Sequence, residues 1–313
     1  MRAALVVIGF AACGQDESPS SSDEEHARAL LRSVDRAAVA IELLQVYLLI
    51  HDDWMDDDDV RRGGPAVHVT LREHLGSKRL GDTAAVLAGD LACAYSQQAL
   101  LEVPLAASLL LGAARAFAQI QEDVVTGQLA EMSPMVAAAK RNPSRSAPSV
   151  ELIHALKTAS YTVTGPLALG AHLAGASDTR VAQLAQYGRP LGIAFQLRDD
   201  LLGVFGDSSA TGKPVGNDIR QGKRTALVAE MRGDASAEAL LSRVLGREDA
   251  SDADVAEVIR AMETTGAKAR VEARVAELLV EARAALAAMA LPEASRGRVW
   301  LAGAVRALGE RSS

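Results

Sequence analysis

Apolar residues recur at helical spacing along most of the chain. From Glu24 to Asp53 they lie three or four residues apart, and near the end of this segment they occupy almost every face. This pattern predicts a long helix with a central position. Further helical patterns cover residues 82–95 and beyond, 106–132, 149–174 and 177–200, with three more helices between 225 and 308. No alternating strand pattern or fixed-period repeat interrupts them. We therefore predict an all-α fold of roughly ten helices in one domain spanning residues 1–313.

Glycine, proline and serine mark the predicted helix boundaries. Gly63, Gly64 and Pro65 break the helical pattern after the first long segment. Ser149 is predicted to cap a helix that runs to Ala174, and Pro166 should kink that helix.

Composition narrows the functional classes. Apolar residues make up 49% of the chain, enough for a sizeable core, and the formal net charge of −7 argues against a nucleic-acid-binding protein. The two cysteines, Cys13 and Cys93, suggest a reducing compartment, so we expect a cytoplasmic protein. No run of 18 or more apolar residues is free of charge, so we expect no membrane-spanning helix.

The first residues allow two interpretations. Met1 to Cys13 resembles a short lipoprotein signal, with one basic residue, an apolar stretch and Ala11-Ala12-Cys13. The same stretch also fits a truncated first core helix followed by a polar loop from Gly14 to Asp23. We favour the second interpretation.

Two aspartate clusters lie about 140 residues apart, and each follows an apolar helical run. The first contains Asp52, Asp53 and Asp56, and the second contains Asp199 and Asp200. Residues four apart share a helix face, so Asp52 and Asp56 should point the same way. If the two helix ends face each other, their oxygens would hold two or three Mg²⁺ ions around one diphosphate. A solvated acidic turn is the alternative interpretation of the first cluster taken alone.

Basic residues near these clusters suit an anionic ligand. Arg61 and Arg62 have the geometry for bidentate phosphate contacts. Lys157, Lys213 and Lys223 would add point charges around the same anion. We interpret His51 and His68, which flank the first cluster, as structural hydrogen-bonding residues.

From Arg2 to at least Thr225, the chain resembles the trans-isoprenyl diphosphate synthases, also called polyprenyl synthetases. The resemblance rests on Asp52-Asp53-x-x-Asp56 followed by Arg61-Arg62-Gly63, and on Gly192-x-x-Phe195-Gln196-x-x-Asp199-Asp200. It implies an all-α bundle around a deep apolar cavity, usually as a homodimer. It also implies head-to-tail condensation of isopentenyl diphosphate with an allylic diphosphate, which would be dimethylallyl, geranyl or farnesyl diphosphate.

The resemblance also assigns roles. Asp52, Asp56 and Asp199 would ligate Mg²⁺, with Asp53 and Asp200 as further ligands or close behind them. Arg61, Lys157 and Lys213 would hold the allylic diphosphate. Gln45 and Arg62 match positions that contact isopentenyl diphosphate, and Arg2 matches the second basic residue of the family's early motif. Thr158 and Gln196 would line the path of the reacting carbons.

The chain departs from the family pattern at three points. The family's Gly-Lys before Arg2 is absent, its following proline is Ala3, and the last aspartate of the second motif is Gly203. We therefore expect a truncated N-terminus. A catalytically silent partner subunit and a class I terpene cyclase remain as alternative functions.

Tyr47 is the candidate that sets product length. It lies five residues before Asp52, about 7.5 Å down the same helix. A bulky ring there would form the floor of the cavity, and the resemblance then implies a short-chain synthase. We predict a C20 main product, with C15 as the alternative, although an ordinary core role for Tyr47 also fits.

Overall fold

The structure, a computed structural model, describes residues 1–14, 24–139, 148–206, 216–247 and 249–309. It confirms the predicted all-α fold. The first helices are α1 (Arg2–Ala11), α2 (Glu24–Met55), α3 (Val67–Leu75), α4 (Lys78–Leu101) and α5 (Ala107–Ala139). They are followed by α6 (Val150–Ile153), a π-helical segment (His154–Thr164), α7 (Gly165–Leu173) and α8 (Asp178–Phe205). The last are α9 (Asn217–Arg220), α10 (Ala226–Glu230), α11 (Ala235–Val244), α12 (Asp252–Thr264), α13 (Ala267–Ala288) and α14 (Arg296–Gly309).

The prediction was accurate for helix type and less so for boundaries. Ser149 caps α6 as expected, because its hydroxyl accepts a hydrogen bond of 3.2 Å from the backbone of Leu152. The helix predicted from there to Ala174 is instead three consecutive segments with a π-helical centre. Pro166 lies immediately after that centre, where its missing N–H and its ring favour a change of helical register. The three helices predicted after Thr225 are five shorter ones.

A short hairpin joins α2 to α3. Its strands are β1 (Val60–Arg61) and β2 (Gly64–Pro65), and they pair antiparallel with Arg61 opposite Gly64. The two loop residues, Arg62 and Gly63, both have positive φ, at 53° and 78°. Two positive φ values in a two-residue loop are typical of a tight hairpin turn. The glycines and proline that break the helical pattern were the sequence signal for this turn.

Contacts group the chain into two compact units, although the single domain expected from the sequence stays a prediction. The first unit comprises residues 1–117 and 166–181. Within it, α1 packs against α7 so closely that a Cβ at Gly9 would collide with the backbone of Leu167. Leu5 and Val6 of α1 are buried. The first segment is therefore a packed core helix, as the second interpretation of the N-terminus expected. The polar loop predicted after Gly14 lies outside the described residues.

The second unit comprises residues 118–165 and 182–313. Two glycines of this unit approach the π-helical segment closely. A Cβ at Gly127 of α5 would lie 2.5 Å from the backbone nitrogen of Lys157, and one at Gly192 of α8 would lie 2.5 Å from the Cβ of Ala159. These contacts fix the position of the segment that carries Lys157 and Thr158.

No helix in the described part of the chain is both long and apolar enough to cross a membrane. The predicted deep apolar cavity remains an expectation from the resemblance.

Candidate active site

The first aspartate motif forms the C-terminal end of α2. The helix ends at Met55, and the backbone N–H of Asp56 still donates to the carbonyl of Asp52 at 2.9 Å. Asp52 and Asp56 are therefore one turn apart, and both side chains are half-buried. Two carboxylates at the negative end of a helix dipole favour a bound cation. Their all-oxygen donor set is the kind that Mg²⁺ prefers.

Asp53 faces a different partner. It is buried, and Arg61 donates to both of its carboxylate oxygens, through Nε at 2.8 and 3.1 Å and also through Nη2. These hydrogen bonds to Asp53 raise the pKa of Arg61 above its usual value. Asp53 thus orients the arginine that the sequence assigned to diphosphate, and its oxygens are directed to that arginine.

The remaining candidates of the first unit lie along α1, α2 and the hairpin. The backbone N–H of Ala3 donates to the carboxylate of Glu42 at 3.2 Å, three residues before Gln45 on α2. This bond places the first turn of α1, which includes the buried Arg2, beside α2 about one helical turn from Gln45. Arg62 lies exposed in the hairpin loop.

Tyr47 and His51 form a contact pair on α2. Their ring centroids are 4.8 Å apart in an edge-to-face arrangement. The Nε2 atom of His51 lies 2.9 Å from the carbonyl oxygen of Val86 and 3.7 Å from the carboxylate of Asp90, so His51 is the hydrogen-bonding residue that the sequence predicted. Burial raises the pKa of Tyr47, and Cys93 and Asp90 of α4 add to the rise. Tyr47 therefore lies on the side of α2 that meets α4.

A chain of hydrogen bonds connects the π-helical segment to the second aspartate motif. Thr158 donates to the side-chain oxygen of Gln196 at 2.9 Å, and the amide nitrogen of Gln196 donates to Asp200 at 2.9 Å. The sequence placed Thr158 and Gln196 in the same part of the site, and the structure brings them into direct contact. π-Helical turns occur frequently at functional sites.

The two aspartates of the second motif have opposite environments. Asp200 is buried, its second oxygen accepts from the backbone of Ala226 at 3.3 Å, and Nε2 of His154 lies 3.6 Å away. Burial raises the pKa of Asp200 to about 7. Asp199 is exposed. Asp199 is therefore the accessible carboxylate, whereas Asp200 is held by the hydrogen-bonded chain.

Lys157 and Lys223 each lie near a carboxylate. Lys157 Nζ is 2.6 Å from Glu131 of α5, and Lys223 Nζ is 3.8 Å from Asp218. Lys213, the third predicted lysine, lies outside the described residues.

Asp218 lies close to the second motif, and no role was assigned to it from the sequence. A Cβ at Gly203 would lie 2.9 Å from a carboxylate oxygen of Asp218, and the charge of Asp218 contributes to the raised pKa of Asp200. Asp218 therefore brings its carboxylate to the position where the motif has lost its last aspartate. The glycine at position 203, where the family has an aspartate, was the only sequence signal of this arrangement. The structure was needed to show that Asp218 lies beside that position.

The chain is similar to one known family and to several known proteins. The family profile described as polyprenyl synthetase matches residues 1–262. The geranylgeranyl diphosphate synthase of Saccharolobus solfataricus is 34% identical over 232 residues, which are 72% of this chain and 65% of that relative. The (2E,6E)-farnesyl diphosphate synthase of Mycobacterium tuberculosis is 32% identical over 286 residues, 88% of this chain and 70% of that relative. The alignment thus spans slightly less than two thirds of the first of these relatives.

A solved structure resembles the whole chain. The crystal structure of geranylgeranyl pyrophosphate synthase from Corynebacterium glutamicum, complexed with isoprenyl diphosphate and magnesium, has a TM-score of 0.84 and 34% sequence identity. The similarity covers 99% of this chain and 86% of that one.

Proposed function

This chain belongs to the polyprenyl synthetase family, and on that premise we propose that it is a prenyltransferase that condenses isopentenyl diphosphate with an allylic diphosphate. The observation that carries the proposal is the pair of half-buried carboxylates, Asp52 and Asp56, one turn apart at the end of α2. The similar Corynebacterium structure, a complex with isoprenyl diphosphate and magnesium, supports the same assignment.

Asp52 and Asp56 would hold Mg²⁺ at the first motif, and the exposed Asp199 would do so at the second. Two or three such ions would neutralise the allylic diphosphate as it leaves. Asp53 and Asp200 would not ligate the ions directly but would position residues around them. Asp53 aims Arg61, and Asp200 anchors Gln196 and the start of α10.

Arg61, Lys157 and Lys213 would bind the allylic diphosphate. Arg61 reaches it with a guanidinium already oriented by Asp53, and pre-oriented charge stabilises a leaving anion without reorganisation. Lys157 pairs with Glu131 across 2.6 Å, so binding would require the lysine to exchange this carboxylate for the diphosphate.

Arg2, Gln45 and Arg62 would bind isopentenyl diphosphate, and Lys223 would add a point charge around the allylic diphosphate. Thr158 and Gln196 would line the path of the reacting carbons, where their mutual hydrogen bond fixes both side chains. The double bond of isopentenyl diphosphate would attack the allylic carbon as diphosphate leaves, and the released diphosphate would then accept a proton from the new chain. No histidine is required as the base, and His51 is already engaged with Val86.

We assign the enzyme a C20 main product, with C15 as the alternative. The names of the relatives include both geranylgeranyl and farnesyl diphosphate synthases. Tyr47 supports a short product because its half-buried ring lies below Asp52 and is braced by His51.

A homodimer is supported by one face of α4. Leu80, Leu87, Leu91 and Tyr95 recur at intervals of seven and four residues, and each is about half exposed. Such a stripe fits the same stripe of a second copy, as in a two-fold interface. Light scattering should give a dimer mass for the parent and a monomer mass for a Leu87→Glu, Leu91→Glu double variant.

We place the reaction in the cytoplasm, since both cysteines are free thiols, in keeping with a reducing compartment.

The test is turnover with labelled isopentenyl diphosphate. The purified chain is incubated with Mg²⁺ and, in separate reactions, dimethylallyl, geranyl or farnesyl diphosphate, and product length is read by chromatography. We expect elongated all-trans diphosphates that stop at C20 or C15. Cyclised hydrocarbons, or no consumption of isopentenyl diphosphate with any of the three primers, would contradict the proposal.

A further inference from the structure

His68 is a buried histidine that lacks the hydrogen bonds expected of a core residue. It is the second residue of α3, and its side chain is 0% exposed. Neither ring nitrogen has a hydrogen-bond partner among the described residues. The sequence predicted a structural hydrogen-bonding role, which the structure does not support. A buried polar group without a partner is costly, so its presence calls for a ligand.

The unpartnered Nε2 atom of His68 points into a pair of carboxylates. It lies 3.9 Å from Oδ1 of Asp57 and 3.9 Å from Oδ1 of Asp59. The ligand atoms of these three residues all lie within 4.8 Å of one another. Both aspartate side chains are more than 70% exposed, so they are able to move, whereas the imidazole is fixed by the packing around it.

Hydrogen bonds near the cluster join the two segments that carry it. Asp57 adopts a positive φ of 51°, and its carboxylate accepts a hydrogen bond of 3.2 Å from Arg72 of α3. The carbonyl of Asp59 accepts from the backbone of Ala66, the residue that precedes α3, at 2.8 Å. The turn after α2 and the first turn of α3 are thus already joined where the three side chains meet.

We propose that Asp57, Asp59 and His68 form a second metal site, selective for a divalent transition ion of the Zn²⁺ class. One imidazole and two carboxylates suit Zn²⁺, Co²⁺ or Mn²⁺, whereas Mg²⁺ prefers all-oxygen donors. Bonds of about 2.0–2.2 Å to a tetrahedral ion place ligand atoms about 3.4 Å apart, so the exposed carboxylates need to close by less than about 1.5 Å. A water would occupy the fourth position on the solvent side.

The ion would tie the turn that follows Asp56 to α3 and so clamp the base of the hairpin that carries Arg61. This site shares no residue with the Asp52 and Asp56 pair. It does not depend on the proposed prenyltransferase activity, and its test is binding and stability.

The experiment titrates the purified chain with Co²⁺ in the presence of excess Mg²⁺, which occupies the all-oxygen motif. Visible absorption reports Co²⁺ coordination, and thermal unfolding reports stabilisation by the bound ion. We expect one Co²⁺ per chain and a higher melting temperature. Asp59→Asn, an exposed and conservative change, should weaken binding at least about tenfold. His68→Asn should do the same, whereas His74→Asn, an exposed histidine on the same helix, should bind as the parent does.

Three outcomes would overturn the proposal. The first is a Co²⁺ signal that Mg²⁺ abolishes, because the ion then lay at the Asp52 and Asp56 pair. The second is equal binding by the parent and Asp59→Asn. The third is the absence of any Co²⁺ binding by the folded parent, which would leave His68 as an ion-pairing residue.

Discussion

Arg61 donates hydrogen bonds to both carboxylate oxygens of Asp53, eight residues before it at the end of α2. Because of this pairing, we propose different roles for the neighbouring residues Asp52 and Asp53. Under the proposed function, Asp52 would hold the metal, whereas Asp53 would position the guanidinium of Arg61. We therefore expect Asp53→Asn to lower kcat/KM about tenfold, a loss of about 1.4 kcal/mol, with little change in the Mg²⁺ concentration for half-maximal rate.

A double-mutant cycle with Arg61→Met tests this positioning role. If Asp53 acts through Arg61, the double variant should be no slower than the slower single variant. Independent losses that multiply, together with a large rise in the required Mg²⁺ concentration in Asp53→Asn, would instead make Asp53 a direct metal ligand.

Gly127 governs the approach of α5 to the π-helical segment. In Gly127→Ala the new Cβ would meet the backbone nitrogen of Lys157 at 2.5 Å, so the two elements must separate. We expect the free energy of unfolding to fall by about 1–3 kcal/mol, measured by urea denaturation, as is typical of overpacking. Gly303→Ala is the matched control, because no atom of the described residues, apart from its chain neighbours and the nearby backbone of its own helix, lies within 4 Å of its Cβ position. It should be neutral or gain up to about 1 kcal/mol from helix propensity. Equal effects of the two changes would contradict the close packing.

The ion pair between Glu151 of α6 and Arg274 of α13 predicts a pH dependence of stability. Hydrogen bonds from Arg274, at 2.7 and 3.3 Å, hold the pKa of Glu151 below its ordinary value of 4.5. A carboxyl with a lowered folded-state pKa contributes stability above its unfolded pKa and loses it as the pH falls through the folded value. Both side chains are partly exposed, so the contribution is at most about 1 kcal/mol.

Arg274→Met should therefore lower the melting temperature at pH 7 by about 2 °C, and the difference from the parent should shrink below pH 4. Differential scanning calorimetry at pH 7 and pH 3 measures the difference in melting temperature. Glu151→Gln should reproduce the pattern. A difference that is the same at pH 7 and pH 3 would show that Arg274 stabilises by packing alone.

The sequence predicted the arrangement of candidate site residues that lie close together in the chain. It did not predict pairs that only the folding of the chain brings into contact. The shared face of Asp52 and Asp56 follows from helical spacing. The resemblance gave Thr158 and Gln196 a shared role, but their direct hydrogen bond was not predicted. The engagement of Asp53 by Arg61 depends on the hairpin, whose positive φ values at Arg62 and Gly63 no periodicity predicts. The approach of Asp218 to Gly203 depends on tertiary packing around α8.

Tyr47 is expected to limit product length. Tyr47→Ala removes the ring that packs edge-to-face on His51 and should shift the main product by one or more five-carbon units toward longer chains. Tyr47→Phe keeps the ring and is the control, with an expected product distribution like that of the parent. Product chromatography on both variants decides the point. An unchanged distribution in Tyr47→Ala would leave Tyr47 as an ordinary core aromatic.

The most direct measurement of the central claim is the single-turnover rate of Asp52→Asn and Asp56→Asn with isopentenyl and farnesyl diphosphate at saturating Mg²⁺. Each change removes one carboxylate from the end of α2 while keeping its size, so circular dichroism should report an intact helical fold. Without that ligand the charge on the leaving diphosphate is not neutralised, and we predict a rate at least about a thousandfold below the parent, roughly 4 kcal/mol in barrier. A rate within about tenfold of the parent for either variant would contradict the assignment of Asp52 and Asp56 as the metal ligands of a prenyltransferase.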